Sequence, residues 1–356
     1  MNIRLYTPSD RAAWDRYVLD HSRGTFFHLV GWKTLIERSF GHKSHYLLAE
    51  SPGSAPSASV DHAAPPMRIR GIFPLFAIKS LLFGRSMVSV PFATYGGILA
   101  DNDEIEQALL HRATELTCTQ DLDYLEIRNE SQPLDGLPVK DLYYVFKKEF
   151  SSDHDENLKA IPRKTRRMVR LGMKNGLTAR FGGTDLLDAF YELFALSYHN
   201  FGTPVFSKRF LKNILDQFKA DSSILVISND GKPLSGVLTF YYKDHVIPYY
   251  SGSHPDARQH AANDYLYWAL MSDAAEKGYK VFDFGRSKKG TGPYDFKRHW
   301  GFEPAQLQYQ YFLSSIPEIP NISPANPKYQ KRIEAWKKLP LWATKIIGPQ
   351  IVKYIP

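Results

Sequence analysis

An internal repeat narrows the fold more than any other feature of this chain. Gly71-Ile-Phe-Pro-Leu75 in the first half parallels Gly236-Val-Leu-Thr-Phe240 in the second. Each is followed by a strand-like stretch, a glycine turn (Gly96-Gly97; Gly252), a helical stretch, and a strand ending in arginine. Those last strands read Tyr124-Leu-Glu-Ile-Arg128 and Val281-Phe-Asp-Phe-Gly-Arg286. The interval is 31 residues from Gly97 to Arg128 and 34 from Gly252 to Arg286. A strand–strand–strand–helix–strand unit therefore occurs twice, with no short solenoid period. The chain has 356 residues, too many for one ordinary core and enough for two domains of about 150.

Local patterning fills in the plan. Alternating apolar residues predict strands at 44–50, 67–78, 88–91, 124–128 and 143–150 in the first half. The second half has them at 224–228, 237–242, 246–251 and 281–284, with 307–313 closing its sheet. Helical spacing predicts helices at 103–119, 186–201, 208–218 and 263–277. The Ser/Ala/Pro-rich stretch 51–66 predicts a flexible loop between two strands. The plan resembles an acetyltransferase-type (GNAT-like) lobe. The expected fold is α/β (α+β), with two tandem GNAT-like lobes, each a mixed, mostly antiparallel sheet with flanking helices. The expected domains are 1–150, 151–315 with the candidate active site, and a Pro-containing basic amphipathic tail, 316–356.

Composition is that of a globular protein, 43% hydrophobic and 23% charged, which excludes disorder for most of the length. Cys118 is the single cysteine, so no intrachain disulfide can form and a reducing compartment is expected. It reads as a core thiol. No signal-type apolar core lies in 1–10, and the apolar stretch 69–100 is broken by Pro74, Lys79, Arg85 and Pro91. These features predict a cytoplasmic protein without a membrane span. A formal charge of +8 favours anionic partners.

Chemistry concentrates in Phe282–Phe302. A buried strand runs into a Gly-rich loop bearing Arg286, Lys288 and Lys289, then into an aromatic segment, Tyr294-Asp-Phe-Lys297. Glycines let backbone N–H groups approach an anion, and the cations add charge. Gly285–Gly290 has Walker spacing, but Thr291 stands where its lysine belongs and Pro293 is expected to spoil the following helix. Asp295 replaces the last glycine of a dinucleotide fingerprint. Nucleotide hydrolysis and dinucleotide binding are therefore excluded. His254, His260 and His299 fall in no metal-ligand spacing, so no metal is expected. The stretch 161–174 carries Arg163, Lys164, Arg166, Arg167, Arg170 and Lys174. It is either a solvated basic helix face or a phosphate-tracking surface. No motif points to sequence-specific DNA binding.

Phe282–Phe302 resembles the FemAB family, tandem GNAT-like transferases that add amino acids to peptidoglycan precursors. The likeness rests on Asp283, Gly290 and Gly292, Tyr294-Asp-Phe296-Lys297 and Gly301-Phe302. Trp32, Ser39–Lys43, Gly71–Leu75 and Tyr95-Gly-Gly97 extend it through the first lobe. Gly252–Arg258, Ala262–Trp268 and Trp336–Pro349 resemble the FemAB-related branch associated with exosortase/PEP-CTERM systems and extracellular polysaccharide. The resemblance implies acyl transfer to an amine from aminoacyl-tRNA, on a nucleotide- or lipid-linked envelope precursor, with no tightly bound cofactor. It implies that Lys297 steadies developing charge. Arg286, Lys288, Lys289, Tyr294, Asp283, Tyr95 and Arg163 form the candidate substrate-binding set, Asp283 as an anchor of the loop.

Two features depart from the pattern. No coiled-coil arm lies between the lobes, and the acyl-CoA glycine loop is replaced by Arg258-Gln-His-Ala-Ala-Asn263. Three readings stay open: an amide-forming aminoacyl or acyl transferase; an acyltransferase using CoA or a carrier on an exopolysaccharide precursor; and a non-catalytic scaffold of polysaccharide assembly. In the tail, 333–355 alternates apolar residues with lysines. It is expected either to touch the inner membrane face or to pack on the second lobe, in two or three pieces set by Pro340 and Pro349.

Overall fold

The computed structural model describes residues 1–52, 67–321 and 326–355. Most of the expected loop 51–66, from residue 53 onward, lies outside the described residues. The chain forms two compact units: Met1–Asp141 with Leu307–Pro320, and Leu142–Gln306 with Asn321–Ile355.

The first unit contains, in chain order, β1 (Asn2–Leu5), α1 (Arg11–Asp20), α2 (Val30–Phe40), β2 (Lys43–Ser44), β3 (Leu47–Pro52), β4 (Met67–Phe73), β5 (Leu75–Ser80), β6 (Gly84–Ser89), β7 (Leu99–Ala100), α3 (Asp103–Thr119) and β8 (Tyr124–Asn129). The stretch 67–78 is two strands because Pro74, which cannot donate to a ladder, separates β4 from β5. Helix α3 starts where Asn102 accepts the Ile105 N–H at 3.0 Å. Three acidic residues in its first turn suit the helix dipole. Its Ile105, Leu109, Ala113 and Leu116 are buried in one cluster with Leu47, Phe73 and Leu125. Cys118 is exposed, contrary to its reading as a core thiol. Two residues beyond Leu116 is about 200° around a helix, so it faces away from that cluster.

The second unit contains β9 (Tyr143–Glu149), α4 (His154–Ala160), α5 (Arg163–Lys174), β10 (Thr178–Gly182), α6 (Leu187–Phe201), α7 (Lys208–Gln217), β11 (Ser222–Asn229), β12 (Lys232–Tyr242), β13 (His245–Ser253), α8 (Ala262–Glu276), β14 (Val281–Lys288), α9 (Gly292–His299) and β15 (Pro304–Gln306). These strands make one seven-stranded sheet, ordered β10-β11-β12-β13-β14-β9-β15. After it come β16 (Gln308–Leu313), α10 (Pro327–Lys338) and α11 (Leu341–Val352).

Two strands fall elsewhere than their sequence neighbours suggest. β9, expected with the first half, lies between β14 and β15 of the second unit's sheet. β16, expected to close the second sheet, pairs antiparallel with β8 in the first unit's order β16-β8-β6-β5-β2. The remaining first-unit sheet is ordered β1-β3-β4-β7.

The repeat is visible in the topology. Among the described residues each unit has one parallel pair, β6 with β8 and β13 with β14, and each pair is joined through a helix, α3 or α8, as parallel strands require. Other pairings are antiparallel. Gly252 is not a turn but a strand residue, opposite Gly236 in the β12–β13 ladder.

Candidate functional site

The parallel pair of the second unit is short. His245 pairs with Val281 and Val246 with Phe282, and the ladder between the two strands ends there, although β13 runs on to Ser253 and β14 to Lys288. Strands that stop pairing inside a sheet turn backbone donors and acceptors towards the gap. On its other side β14 pairs with β9, and its register slips by one residue between Asp283 and Arg286. The bulge is built at Gly285, whose φ of 66° is the left-handed conformation that favours glycine. The Asp283 carboxylate fixes it by accepting the Gly285 N–H at 2.8 Å, with Lys147 3.5 Å away.

Lys297 meets the bulge from α9. Its Nζ donates to the carbonyl oxygens of Gly285 and Arg286, both at 3.1 Å. It is 9% exposed, held over the rings of Phe146 and Phe284. Burial pushes the ammonium down to about 7; Asp283 opposes the fall and Arg286 adds to it. Pro293 does not spoil α9. It sits in the first turn, where a proline has no N–H to lose from the ladder. Thr291 still stands in the place of the Walker lysine.

The other candidates divide. The Arg286 guanidinium and the Lys288 ammonium both lie over Tyr143, at 4.7 and 5.6 Å, whereas Lys289 lies over Tyr144. Tyr143 and Phe146 are three residues apart on β9, so they project from opposite faces. Arg286 and Lys288 thus serve one face of the sheet, and Lys297 the other. Tyr294 is buried edge-on against Tyr144 and Phe146, on the Lys297 face. Arg163 is exposed at the start of α5; Thr165, two residues on, donates to the His299 carbonyl at the end of α9. Tyr95 belongs to the first unit, buried edge-on to Phe27.

Several residues here were not found by sequence reasoning. Tyr143, Phe146 and Lys147 come from a strand assigned to the first half. Tyr198 and Tyr250 are buried phenols on the Arg286 side; burial pushes Tyr198 up to about 12 and also raises Tyr250 well above the ordinary phenol value, with Arg286 opposing both. The Tyr250 hydroxyl has no hydrogen-bond partner among the described residues. Burial raises the Asp264 carboxyl, in the first turn of α8, to about 6. No motif marks Tyr198 or Tyr250, and 262–268 carries a family resemblance without singling out Asp264; only placement by α6, β13 and α8 does. Among the described residues, no three His, Cys, Asp or Glu side chains come together as metal ligands.

The first unit treats its own parallel pair differently. Past Val88 and Glu126, residues 90–97 are buried although they form neither strand nor helix. Arg128, ion-paired with Glu126 at 2.8 Å, donates to the Ala93 carbonyl, Trp32 to that of Pro91, and Tyr309 to that of Thr94. Val90 and Phe92 take positive φ of 47° and 61° there, conformations that cost about 1–3 kcal/mol each and need such support.

Two units that each carry a parallel strand pair joined through a helix, in mostly antiparallel sheets, define a tandem GNAT fold. Residues 158–298 match the family described as an acetyltransferase (GNAT) domain. No curated protein matches the sequence. Among solved structures, the chain is similar to FemX, with a TM-score of 0.65 and 16% identity, covering 94% of this chain and 100% of that one. A tandem GNAT protein from the clavulanic acid biosynthesis pathway gives 0.54 and 12%, covering 89% and 99%. The C-terminal domain of a putative lysylphosphatidylglycerol synthetase from Agrobacterium fabrum gives 0.53 and 13%, covering 86% and 91%. At these identities the likeness is one of fold.

Proposed function

We propose that the second unit transfers an aminoacyl or acyl group to an amine of a cell-envelope precursor, forming an amide. The observation that carries this reading is the buried Lys297 ammonium at the bulge of β14, beside the end of the parallel ladder. In the reaction the amine nitrogen bonds to the carbonyl carbon of an activated ester. The ester C–O bond then breaks, and the amine proton passes to the departing hydroxyl. The carbonyl oxygen gains negative charge on the way, and a fixed, poorly solvated donor counters that charge best. Lys297 is that donor; Arg286 and Lys288 attract the anionic parts of the substrates, and Tyr294 packs the wall.

Supporting a donor other than CoA, Ala261 and Ala262 are 2% and 0% exposed. Gly172 of α5 packs so closely there that a Cβ on it would press on the Ala261 carbonyl and on Tyr265. The start of α8 is therefore covered, and its N–H groups are poorly placed for a pyrophosphate. Aminoacyl-tRNA fits this better, and the resemblance of 282–302 to the FemAB family supports the choice. The likeness of 252–258, 262–268 and 336–349 to the exosortase-associated branch favours an exopolysaccharide or peptidoglycan precursor as acceptor.

Thermal shifts with aminoacyl-tRNA, acyl-CoA and nucleotide-linked sugars separate the donors, since a ligand at a hundredfold its Kd stabilises by about 2.7 kcal/mol. With the donor identified, Lys297→Met is expected to reduce kcat at least about tenfold without unfolding the protein. Turnover near that of the parent would remove Lys297 from the mechanism. A shift with CoA alone would reverse the choice of donor.

A further inference from the structure

The transferase reading leaves α10 and α11 unused, and their side chains are arranged against the usual logic of a packed helix. In α11 the small residues Ala343, Thr344 and Gly348 are buried, together with Val352. Gly348 sits so close to Val205 that a Cβ would press on its backbone. The bulkiest apolar side chains point the other way: Trp342 is 67% exposed, Ile346 65% and Ile347 42%. Trp342, Ile346, Pro349 and Lys353 follow at intervals of four, three and four, so they form one stripe. A helix that served only the core would bury its tryptophan and isoleucines and turn threonine and glycine outward.

Charge surrounds this stripe. Residues 326–355 hold seven cations and one carboxylate, a balance of +6 in a chain whose formal charge is +8. Lys345 is taken up by Glu192 at 2.5 Å. Lys328, Lys331, Arg332, Lys337 and Lys338 have no carboxylate at ion-pair distance among the described residues. A second copy of this surface would meet like charge with like charge, which disfavours self-association. The complementary occupant is anionic and accepts apolar side chains along a plane.

We propose that α11 lies in the headgroup layer of an anionic phospholipid membrane. Trp342 and Ile346 enter the acyl boundary, and the lysines of α10 contact the headgroups. The contact is peripheral: α11 has 12 residues where a span needs about 20. Among the described residues, no helix is long and apolar enough to cross a membrane. The inference is independent of the transferase reading, because neither helix contributes to the Lys297 site.

The full chain is tested by sedimentation with vesicles of phosphatidylcholine alone and with added phosphatidylglycerol. Binding is expected on the anionic vesicles and to be about tenfold or more weaker on the neutral ones. The pair Trp342→Ser and Ile346→Ser should weaken anionic binding about tenfold, and Lys337→Gln with Lys338→Gln should also flatten its salt dependence. Brominated phosphatidylglycerol tests the unsubstituted chain. Trp342 is the one exposed tryptophan of six, so quenching of emission reports its insertion. No sedimentation with anionic vesicles, or no quenching, overturns the proposal. So does a wild-type dimer that becomes monomeric in the Trp342→Ser, Ile346→Ser variant.

Discussion

A buried lysine whose pKa falls to about 7 leaves a signature that needs no substrate. The Lys297 pKa falls from the ordinary lysine value of 10.5 to about 7 on folding. Between those values the unfolded chain binds the proton and the folded chain does not, so stability rises with pH across the interval. The destabilisation is fully present below pH 7, where both states are protonated, and is relieved as pH climbs towards 10.5. Lys297→Met removes this dependence, and the melting temperatures of parent and variant should converge as pH rises from 7 to 10. Parallel curves would show that the ammonium is better solvated than its burial against Phe146 and Phe284 implies. This residue was legible in the sequence from its place after the Gly-rich loop, but its environment was not. Phe146 and Lys147 come from a strand about 150 residues before Lys297 in the chain, and nothing in periodicity says that it inserts beside β14.

At the scale of elements, glycine pairs set how closely helices approach the sheets. Gly236 and Gly252 oppose each other across β12 and β13. A Cβ on Gly252 would collide with the backbone of Leu193 and Phe194 in α6. In the first unit a Cβ on Gly71 would press on side-chain methyls of Ile105 and Leu109 in α3, not on the helix backbone. Gly252→Ala therefore moves a helix rather than a side chain. It should cost about 1–3 kcal/mol, read as a lower urea midpoint with an unchanged slope; a midpoint within error of the parent would mean that α6 yields. Sequence reasoning recognised these glycines as repeat markers but took Gly252 for a turn, because a lone strand glycine looks the same whether the chain bends or a neighbour presses close. Helix existence was easier to read. Apolar spacing located α3, α6, α7 and α8, with Asn102 capping α3. Pro293 was read as a helix breaker, since its position relative to the helix start decides its effect.

At the scale of the whole molecule, the exchange of β9 and β16 makes the sequence boundaries poor places to cut. A fragment 1–150 would keep β9 without its sheet and would lose β16, which closes the edge beyond β8. It would also lose the Gln310 amide, whose oxygen accepts the Leu134 N–H at 2.6 Å and whose nitrogen donates to the Leu134 carbonyl at 2.7 Å. The Tyr309 bond to the Thr94 carbonyl, one support of the strained loop at Val90 and Phe92, would go with it. A fragment 151–356 would lack the strand that β14 and β15 both pair with, including its partner positions for Arg286, Ser287 and Lys288. Local patterning finds both strands but not their partners, because pairing is decided by non-local contacts that a period of two cannot encode. Neither fragment is expected to unfold cooperatively or to stay monomeric, since each exposes an unpaired edge. By contrast, 1–141 joined by a flexible linker to 307–320 restores β16 to β8 and should give a soluble domain with a sharp thermal transition. Calorimetry on the three chains decides the matter. A cooperative transition in fragment 1–150 at the temperature of the linked chain would show that β16 adds little to the first unit, and that the fold tolerates a cut the strand order argues against.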